Sequence, residues 1–232
     1  MHRRLTIGEA RWPETPDFSA VAAHWNKNSS TVMLGFVWKG YDLLGSGVLS
    51  KVDVALVDEQ LERNITQFLT PKVRDCMTGY EPFQVEQGVY EFETRVSASA
   101  QPPLYDLAFV LKSNPRIMWP MEAKVLRSDG DVGRYVNEIT DNFLTCRYAP
   151  FSGEGSMLGY LLAGEPAKVF EKIAIKIPCN LEDHPHFTSR NHKTSDHVRL
   201  VPTDKSYPTN FRCHHLIIPL QVWAIVASPL AL

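Results

Sequence analysis

Three residues in the middle of the chain combine the side chains that a metal-dependent hydrolase needs. Glu122 and Lys124 stand two residues apart in the segment MEAK, and Asp106 precedes the apolar run LAFVL. Residues two apart in a β-strand share a face, so Glu122 and Lys124 project together. If a short turn brings Asp106 alongside, the two carboxylates can bind a hard cation such as Mg²⁺, with the carbonyl of Ala123 as a further ligand. The pattern therefore indicates phosphodiester hydrolysis, in which Lys124 orients the attacking water or stabilises the transition state.

The spacing Glu-x-Lys is common by chance, so its context carries the prediction. Here it follows the apolar segment IMW, comes after an acidic residue on an earlier strand-like segment, and precedes a helix. One alternative is a surface hairpin in which Asp106, Glu122 and Lys124 form an ordinary salt bridge, worth about 0 to 1 kcal/mol. Another is a noncatalytic fold that binds nucleic acid or a partner without cutting. Retention of all three chemical groups favours catalysis.

This arrangement resembles the PD-(D/E)XK nuclease superfamily, whose hairpin carries Asp on one strand and Glu-x-Lys on the next. The resemblance covers Val57 to Gly164. It implies a restriction-endonuclease-like fold, a Mg²⁺ cofactor that Mn²⁺ can replace, and DNA as the expected substrate. Asp106 and Glu122 would hold the metal, and Lys124 would serve the attacking water. The segments PPLYDLAFV, WPMEAKVL and RYAPFSGEGSMLGYLL also look like uncharacterised bacterial members of the superfamily, suspected of defence against foreign DNA.

The resemblance also implies that a helix ahead of the hairpin supplies another glutamate to the site. Glu62 is the preferred candidate, and Glu59, one turn earlier, is the alternative. Two positions depart from the family pattern. Tyr105 rather than proline precedes Asp106, and Pro120 removes a backbone donor from the Glu-x-Lys strand. A bulge or kink at Pro120 is expected to re-aim the acidic side chain.

Further charged and imidazole side chains are candidates for contacts with nucleic acid. Arg134 and Glu138 lie on the helix after the hairpin and are within reach of the cleft, and His197 and Arg199 in SDHVR are candidates for phosphate contacts. The histidine- and cysteine-rich region of residues 179–215 contains neither H-E-x-x-H nor paired C-x-x-C. Hydrogen-bonded or solvent-exposed imidazoles are therefore favoured there over a structural zinc site.

The apolar pattern predicts an α/β domain with a mixed central β-sheet flanked by helices. Residues 1–56 are expected to form an N-terminal lobe of short strands, and residues 57–232 the nuclease domain. Helices are predicted over VDEQLERNITQFLTPKVRDCM, VGRYVNEITDNFLTCRY and AKVFEKIAIKI, and strands over QVEQGVYEFETRVSASA, both halves of the Asp106 hairpin, and MLGYLLAG. Pro71 is expected to kink or end the first helix. Glu91 and Glu93 are expected on a solvated strand face.

The bulk composition limits the partners. The chain has 24 Lys and Arg against 26 Asp and Glu, a formal net charge of -2, so any groove for DNA must be local. Motifs of nucleotide-binding loops and of serine hydrolases are absent from the sequence. DNA is the expected partner, with a homodimer or a protein of a defence system as further candidates.

The expected location is the cytoplasm, with no attachment to a membrane. Four scattered cysteines and the lack of a signal-like apolar core near Met1 favour a reducing compartment. The uncharged segment LIIPLQVWAIVASPLAL is the one candidate for a membrane span, but it is short and is interrupted by Pro219 and Pro229. A buried strand or a packing segment is the favoured interpretation.

Overall fold

A computed structural model describes residues 18–49, 52–97 and 99–220, and it contains one mixed β-sheet. The strands are β1 (Phe83–Tyr90), β2 (Leu104–Leu111), β3 (Met118–Leu126), β4 (Glu154–Leu161), β5 (Glu182–Asp183), β6 (His192–Val198) and β7 (Asn210–Pro219). Their order in the sheet is β1-β2-β3-β4-β7-β6-β5. Strand β4 is parallel to both β3 and β7, and the other pairs are antiparallel. The predicted α/β class with a mixed central sheet is confirmed.

Helices cover both faces of this sheet. They are α1 (Phe18–Leu49), α2 (Asp58–Asp75), α3 (Gly133–Glu138), which continues as one π-helical turn (Ile139–Phe143), and α4 (Pro166–Lys176). Helices α1 and α2 pack on the face that carries Ala123 and Val125 of β3. Helices α3 and α4 pack on the opposite face, with Leu126. Every residue of β3 is buried, as expected for a central strand covered on both sides.

The N-terminal segment was predicted to form short strands, and this prediction is wrong for Phe18–Leu49, which is one helix. Its buried residues include Met33, Leu34, Val37 and Trp38, which recur at helical spacing and share a core with α2. Aromatic and β-branched residues favour strands only weakly, and packing against a neighbouring element overrides that preference. The rest of the predicted lobe falls partly on residues 1–17, 50 and 51, outside the described residues.

Helix α2 confirms the helix predicted after residue 57, and it continues to Asp75 past Pro71. The helix therefore does not end at this proline. The predicted helix around Tyr135 is also confirmed, as α3 and its π-helical turn, and Tyr135, Ile139 and Phe143 are all buried. The predicted strand MLGYLLAG corresponds to β4, and the predicted helix AKVFEKIAIKI to α4.

The hairpin of β2 and β3 has the predicted form. Its register runs from Leu107 opposite Met121 to Val110 opposite Met118, and Pro120 faces Ala108 without a bulge. Leu111 donates its N–H to the carbonyl of residue 117, so hydrogen-bonded pairs alternate from there and Pro120 falls at a pair without hydrogen bonds. Pairing with β4 starts only at Met121. Pro120 therefore fits a central strand because neither neighbour requires its missing N–H, and the expected bulge does not occur.

The histidine-rich C-terminal region is more regular than its prolines suggest. It supplies β6 and β7, and β7 lies between β4 and β6 inside the sheet. The start of the apolar segment, up to Pro219, thus forms a buried strand as predicted, while residues 221–232 lie outside the described residues. Across the described ranges, no helix combines the length and the apolar character needed to span a bilayer.

Candidate active site

The candidate site lies where β2 and β3 separate. Their pairing ends at Leu107 and Met121, although both strands continue. Beyond that point two carboxylates take the place of the missing backbone acceptors. Asp106 Oδ2 accepts the N–H of Ala123 at 2.8 Å, and Glu62 Oε1 accepts the N–H of Val125 at 3.0 Å. The divergence of the strands therefore opens a gap that acidic side chains fill.

Lys124 is at the centre of this gap. Its Nζ lies 2.7 Å from Glu122 Oε1 and 2.8 Å from the carbonyl oxygen of Ala123. Two further carboxylates approach it from helices: Glu138 Oε1 at 3.4 Å and Glu62 Oε2 at 3.8 Å. The structure thus brings together the residues predicted from the sequence, and it prefers Glu62 to Glu59, which is exposed and pairs with Arg134.

Helix α2 positions Glu62 because its apolar residues bury one side of the helix against the sheet. Leu61, Ile65 and Leu69 are fully buried, and Glu62 follows the first of them, beside the end of β3. Helix α3 is anchored in the same way from the opposite face by Tyr135. Both helices are therefore held by apolar packing, and each presents one glutamate to the same lysine.

Burial is the main cause of the shifted carboxyl pKa values at this site. Burial raises the pKa of Glu122, and the neighbouring Asp106 raises it further. Burial also raises the pKa of Asp106 and of Glu62, against the opposing effect of Lys124. For Lys124, burial alone would lower the pKa, but the surrounding carboxylates outweigh it and raise the pKa above its usual value. The site thus contains more carboxyl groups than one ammonium group can neutralise.

The residues fit a hard divalent cation. Glu122 Oε2 is buried and has no hydrogen-bond partner within the described part of the chain. With Asp106 and the Ala123 carbonyl it forms a set of oxygen donors, the type that Mg²⁺ prefers. A dication would favour the charged carboxylates and so oppose the burial and the repulsion that raise their pKa values. Asp106 is half-buried, whereas Glu122 is only 6% exposed, so Asp106 is the more accessible of the two carboxylates.

Glu138 was noted in the sequence only as a residue within reach of the cleft, yet it contacts Lys124 directly. It is the last residue of α3, and the π-helical turn begins immediately after it. The side-chain amide of Asn142, inside that turn, donates a hydrogen bond to the Glu138 carboxylate. The signal in the sequence was its position four residues after Arg134, which places both on one helix face.

Arg134 lies at the rim of the site. Its guanidinium group pairs with Asp58 at 3.1 Å and with Glu59 at 3.0 Å, and it lies 3.5 Å from Glu62. The side chain is 45% exposed. A cation that is partly free and adjacent to the carboxylates suits the predicted contact with phosphate, which stays a prediction.

Arg199 has a structural role in the fold, which contradicts the contact with phosphate that was predicted for it. It is only 3% exposed, and its guanidinium group donates to the carbonyl oxygens of Phe143, Tyr148, Ala149 and Ser152. Those bonds hold the loop between the π-helical turn and β4. A guanidinium group that is buried and occupied in this way cannot meet a phosphate unless the loop opens.

His197 is also remote from the lysine cluster. Its Nε2 is 2.6 Å from the hydroxyl of Ser195, and burial lowers the pKa of its imidazole. With Glu154, Asp196 and Arg212 it lines a surface pocket of about 460 Å³. None of the carboxylates around Lys124 lines that pocket. The predicted phosphate contact of His197 would therefore belong to a separate surface, and its neutral imidazole weakens that prediction.

Comparison of the chain with protein-family models, curated proteins and solved structures gave no match. The function of the chain must therefore be inferred from the geometry of the site.

Proposed function

We propose that this chain is a divalent-metal-dependent nuclease with a restriction-endonuclease-like fold, and that DNA is its substrate. The observation that supports the proposal best is the position of Lys124, surrounded by carboxylates from two strands and two helices. Such a surplus of buried negative charge costs stability unless a cation binds there. A purely structural salt bridge would need one carboxylate for one ammonium group.

The site's own groups divide the chemistry between them. Asp106, Glu122 and the Ala123 carbonyl would hold Mg²⁺, or Mn²⁺ in its place. The bound ion would supply Lewis-acid activation of a phosphodiester and of water. Lys124 stays protonated at neutral pH because its pKa is raised, so it stabilises developing negative charge and does not remove a proton.

The two helix glutamates would act on the lysine and not on the substrate. Glu62 is fixed by the N–H of Val125, and Glu138 by the amide of Asn142. Each carboxylate lies within 4 Å of the Lys124 ammonium group. They would hold the ammonium group in place, while Arg134 at the exposed rim would contact a flanking phosphate.

A cleavage assay tests the proposal. The full chain is incubated with double-stranded DNA, single-stranded DNA and RNA, in Mg²⁺, in Mn²⁺ and in excess chelator. Cleavage of DNA is expected only with a divalent ion. Lys124→Met should reduce the rate by about 100-fold or more, since removal of one group that stabilises a transition-state charge has that effect.

The matched control is Lys112→Met, on the same hairpin. Lys112 is exposed, and its ammonium group donates to the carbonyl of Gly79. Its loss should leave the rate unchanged. Equal rates for Lys124→Met and wild type would remove Lys124 from the mechanism.

If the enzyme acts as a dimer, both strands of a circular duplex should be cut in one binding event, giving linear rather than nicked product.

The second candidate is a noncatalytic module that binds nucleic acid. Asp106 and Glu62 already accept backbone N–H groups, so they also have a structural role that needs no metal. DNA affinity that survives Glu122→Gln, combined with no cleavage by wild type under any ion, would favour this candidate. A role in defence against foreign DNA is part of the proposal and would require a nuclease.

A further inference from the structure

Three buried histidines form a second cluster, on the other face of the sheet from Glu122. His184 follows β5, His192 begins β6 and His214 lies in β7. One ligand atom from each lies within 4.8 Å of the other two. In the described part of the chain, this is the one group of three histidine, cysteine or acidic residues that meets this limit. The cluster lies under α1, where Trp38 contacts His192.

The spacing of these rings suits a tetrahedral ion. His192 Nε2 and His214 Nδ1 are 3.4 Å apart. A tetrahedral Zn²⁺ with Zn–N bonds of about 2.0–2.1 Å places neighbouring ligand nitrogens about 3.3–3.4 Å apart. The ring centroid of His184 lies 4.5 Å from that of His192 and 5.4 Å from that of His214. All three imidazoles are therefore close enough for one ligand atom of each to reach a shared ion.

The half-buried carboxylate of Glu154 lies next to the ring of His214. Glu154 Oε2 is 3.5 Å from His214 Nε2, and neither atom has a hydrogen-bond partner among the described residues. His214 is only 2% exposed, so water does not replace those bonds freely. Metal-binding histidines commonly direct their second nitrogen at a carboxylate, which fixes the tautomer and orients the ring. With a metal on Nδ1, the Nε2 proton of His214 would point at Glu154.

We propose that His184, His192 and His214 bind one transition-metal ion, with Zn²⁺ as the ion that three imidazoles favour, and that Glu154 positions His214. The fourth ligand would be water. The ion would join the segment after β5 to β6 and β7, beneath α1. This site is independent of the proposed nuclease centre: its donors are nitrogens, and those of the carboxylate site are oxygens.

The position of the proton on His192 provides a way to detect metal binding. Trp38 donates its indole N–H to His192 Nδ1 at 3.2 Å, so the His192 proton is on Nε2. Binding of a metal to Nε2 moves this proton to Nδ1, where it faces the indole N–H and ends the hydrogen bond. No electron is transferred. The site therefore predicts a change at Trp38 when the metal binds.

A Zn²⁺ titration tests the proposal. The chain is freed of metal by dialysis against a chelator and titrated with Zn²⁺ by calorimetry. The titration is done on wild type and on the Asp106→Asn, Glu122→Gln double variant. One Zn²⁺ per chain should bind to both forms. His184→Asn and His214→Gln should weaken binding by about 100-fold or more, and Glu154→Gln by about 10- to 100-fold.

The matched control is His186→Asn. His186 is exposed and two residues from His184, and the backbone N–H that it donates to His184 survives the substitution. Its affinity for Zn²⁺ should equal that of wild type. Absence of Zn²⁺ binding by wild type, or equal binding by His184→Asn and His186→Asn, would overturn the proposal.

A measurement on wild type tests the proposal even if the histidine variants do not fold. The indole N–H resonance of Trp38, identified by its absence in Trp38→Phe, should shift when Zn²⁺ binds. An unchanged resonance at saturating Zn²⁺ would exclude binding through His192 Nε2. Because the double variant lacks the carboxylate site, success or failure here is separate from the result of the cleavage assay.

Discussion

Glu91 shows what burial does to a single carboxyl group. It was expected on a solvated strand face, but it is 4% exposed, and it accepts hydrogen bonds from the Tyr105 hydroxyl and the N–H of Glu93, each at 2.9 Å. Burial raises its pKa to about 7, and the charge of Glu93 adds to the shift. These bonds compensate only part of the lost hydration. Glu91 therefore supports Tyr105, next to the candidate site, at an electrostatic cost.

The pH dependence of stability should reveal this cost. A carboxyl group whose pKa is higher in the folded protein stabilises the fold below about pH 4.5, and this contribution is lost as the pH rises to about 7. The loss is on the order of 3 kcal/mol, from about 1.4 kcal/mol per pKa unit. Glu91→Gln does not titrate, so its unfolding free energy relative to wild type should increase between pH 4.5 and pH 8, as measured by urea denaturation.

Glu81 provides a control of opposite sign. Backbone and hydroxyl donors of Thr78 and the N–H of Gly79 lower its pKa to about 2. Its contribution is present above about pH 4.5 and is lost as the pH falls through about 2, so Glu81→Gln should show no pH-dependent difference between pH 5 and pH 8. A flat difference for Glu91→Gln over that range would mean that Glu91 is hydrated in solution.

At the scale of elements, α1 meets α2 at a close backbone contact. A Cβ atom on Gly40 would lie 2.7 Å from the backbone nitrogen of Val73 and 2.9 Å from its Cα. A side chain can rotate away from such a contact, but two helix backbones can only move apart. We therefore expect Gly40→Ala to lower the unfolding free energy by about 1–3 kcal/mol, the usual cost of overpacking, in thermal or urea denaturation.

Gly35 is the control because it lies in the same helix, and a Cβ atom there would meet nothing within 4 Å. Gly35→Ala should raise stability by about 0.5–1 kcal/mol through helix propensity alone. If both substitutions stabilised the protein, α1 would not pack on α2 in the way described.

The sequence predicted those elements whose apolar residues recur regularly. Helix α2 and the β2–β3 hairpin are of this kind, and the hairpin brought Asp106, Glu122 and Lys124 together as expected. Helix α1 was missed because its glycines and aromatic residues suggest strands and turns, while the burial that makes it helical comes from α2. A pattern of residues within one segment cannot show which other element that segment packs against.

Contacts that depend on pairing between distant strands could not be predicted from the sequence either. His192 and His214 meet because β6 and β7 pair with Thr194 opposite His214, and no spacing along the chain indicates that register. The cationic character of Arg199 suggested phosphate, but the carbonyl groups that surround it come from a loop about fifty residues earlier. In both cases the sequence shows the type of residue but not the groups that surround it in the fold.

For the whole molecule, the sheet separates two candidate cation sites of different chemistry. Glu122 and Lys124 share a face of β3 with Leu126, under α3, whereas His214 shares a face of β7 with Leu216, under α1. A ligand that binds only the folded chain stabilises it by mass action. Because strand β4 lies between β3 and β7, the two ions should stabilise the fold almost independently.

Stability with and without Mg²⁺ should expose the carboxylate site even if no substrate is known. A hundredfold excess of Mg²⁺ over its Kd should add about 2.7 kcal/mol to the unfolding free energy of wild type, and chelator should reverse the gain. Asp106→Asn keeps a side-chain oxygen to accept the N–H of Ala123 but removes one of the crowded negative charges. Asp106→Asn should therefore be at least as stable as wild type in chelator, and Mg²⁺ should no longer stabilise it. The control is Glu171→Gln, at an exposed position on α4, which Mg²⁺ should stabilise as much as wild type. An equal Mg²⁺ response in Asp106→Asn and wild type would show that the ion binds elsewhere, because a cation held by Asp106 and Glu122 cannot retain its affinity when one of its two charged ligands is neutral.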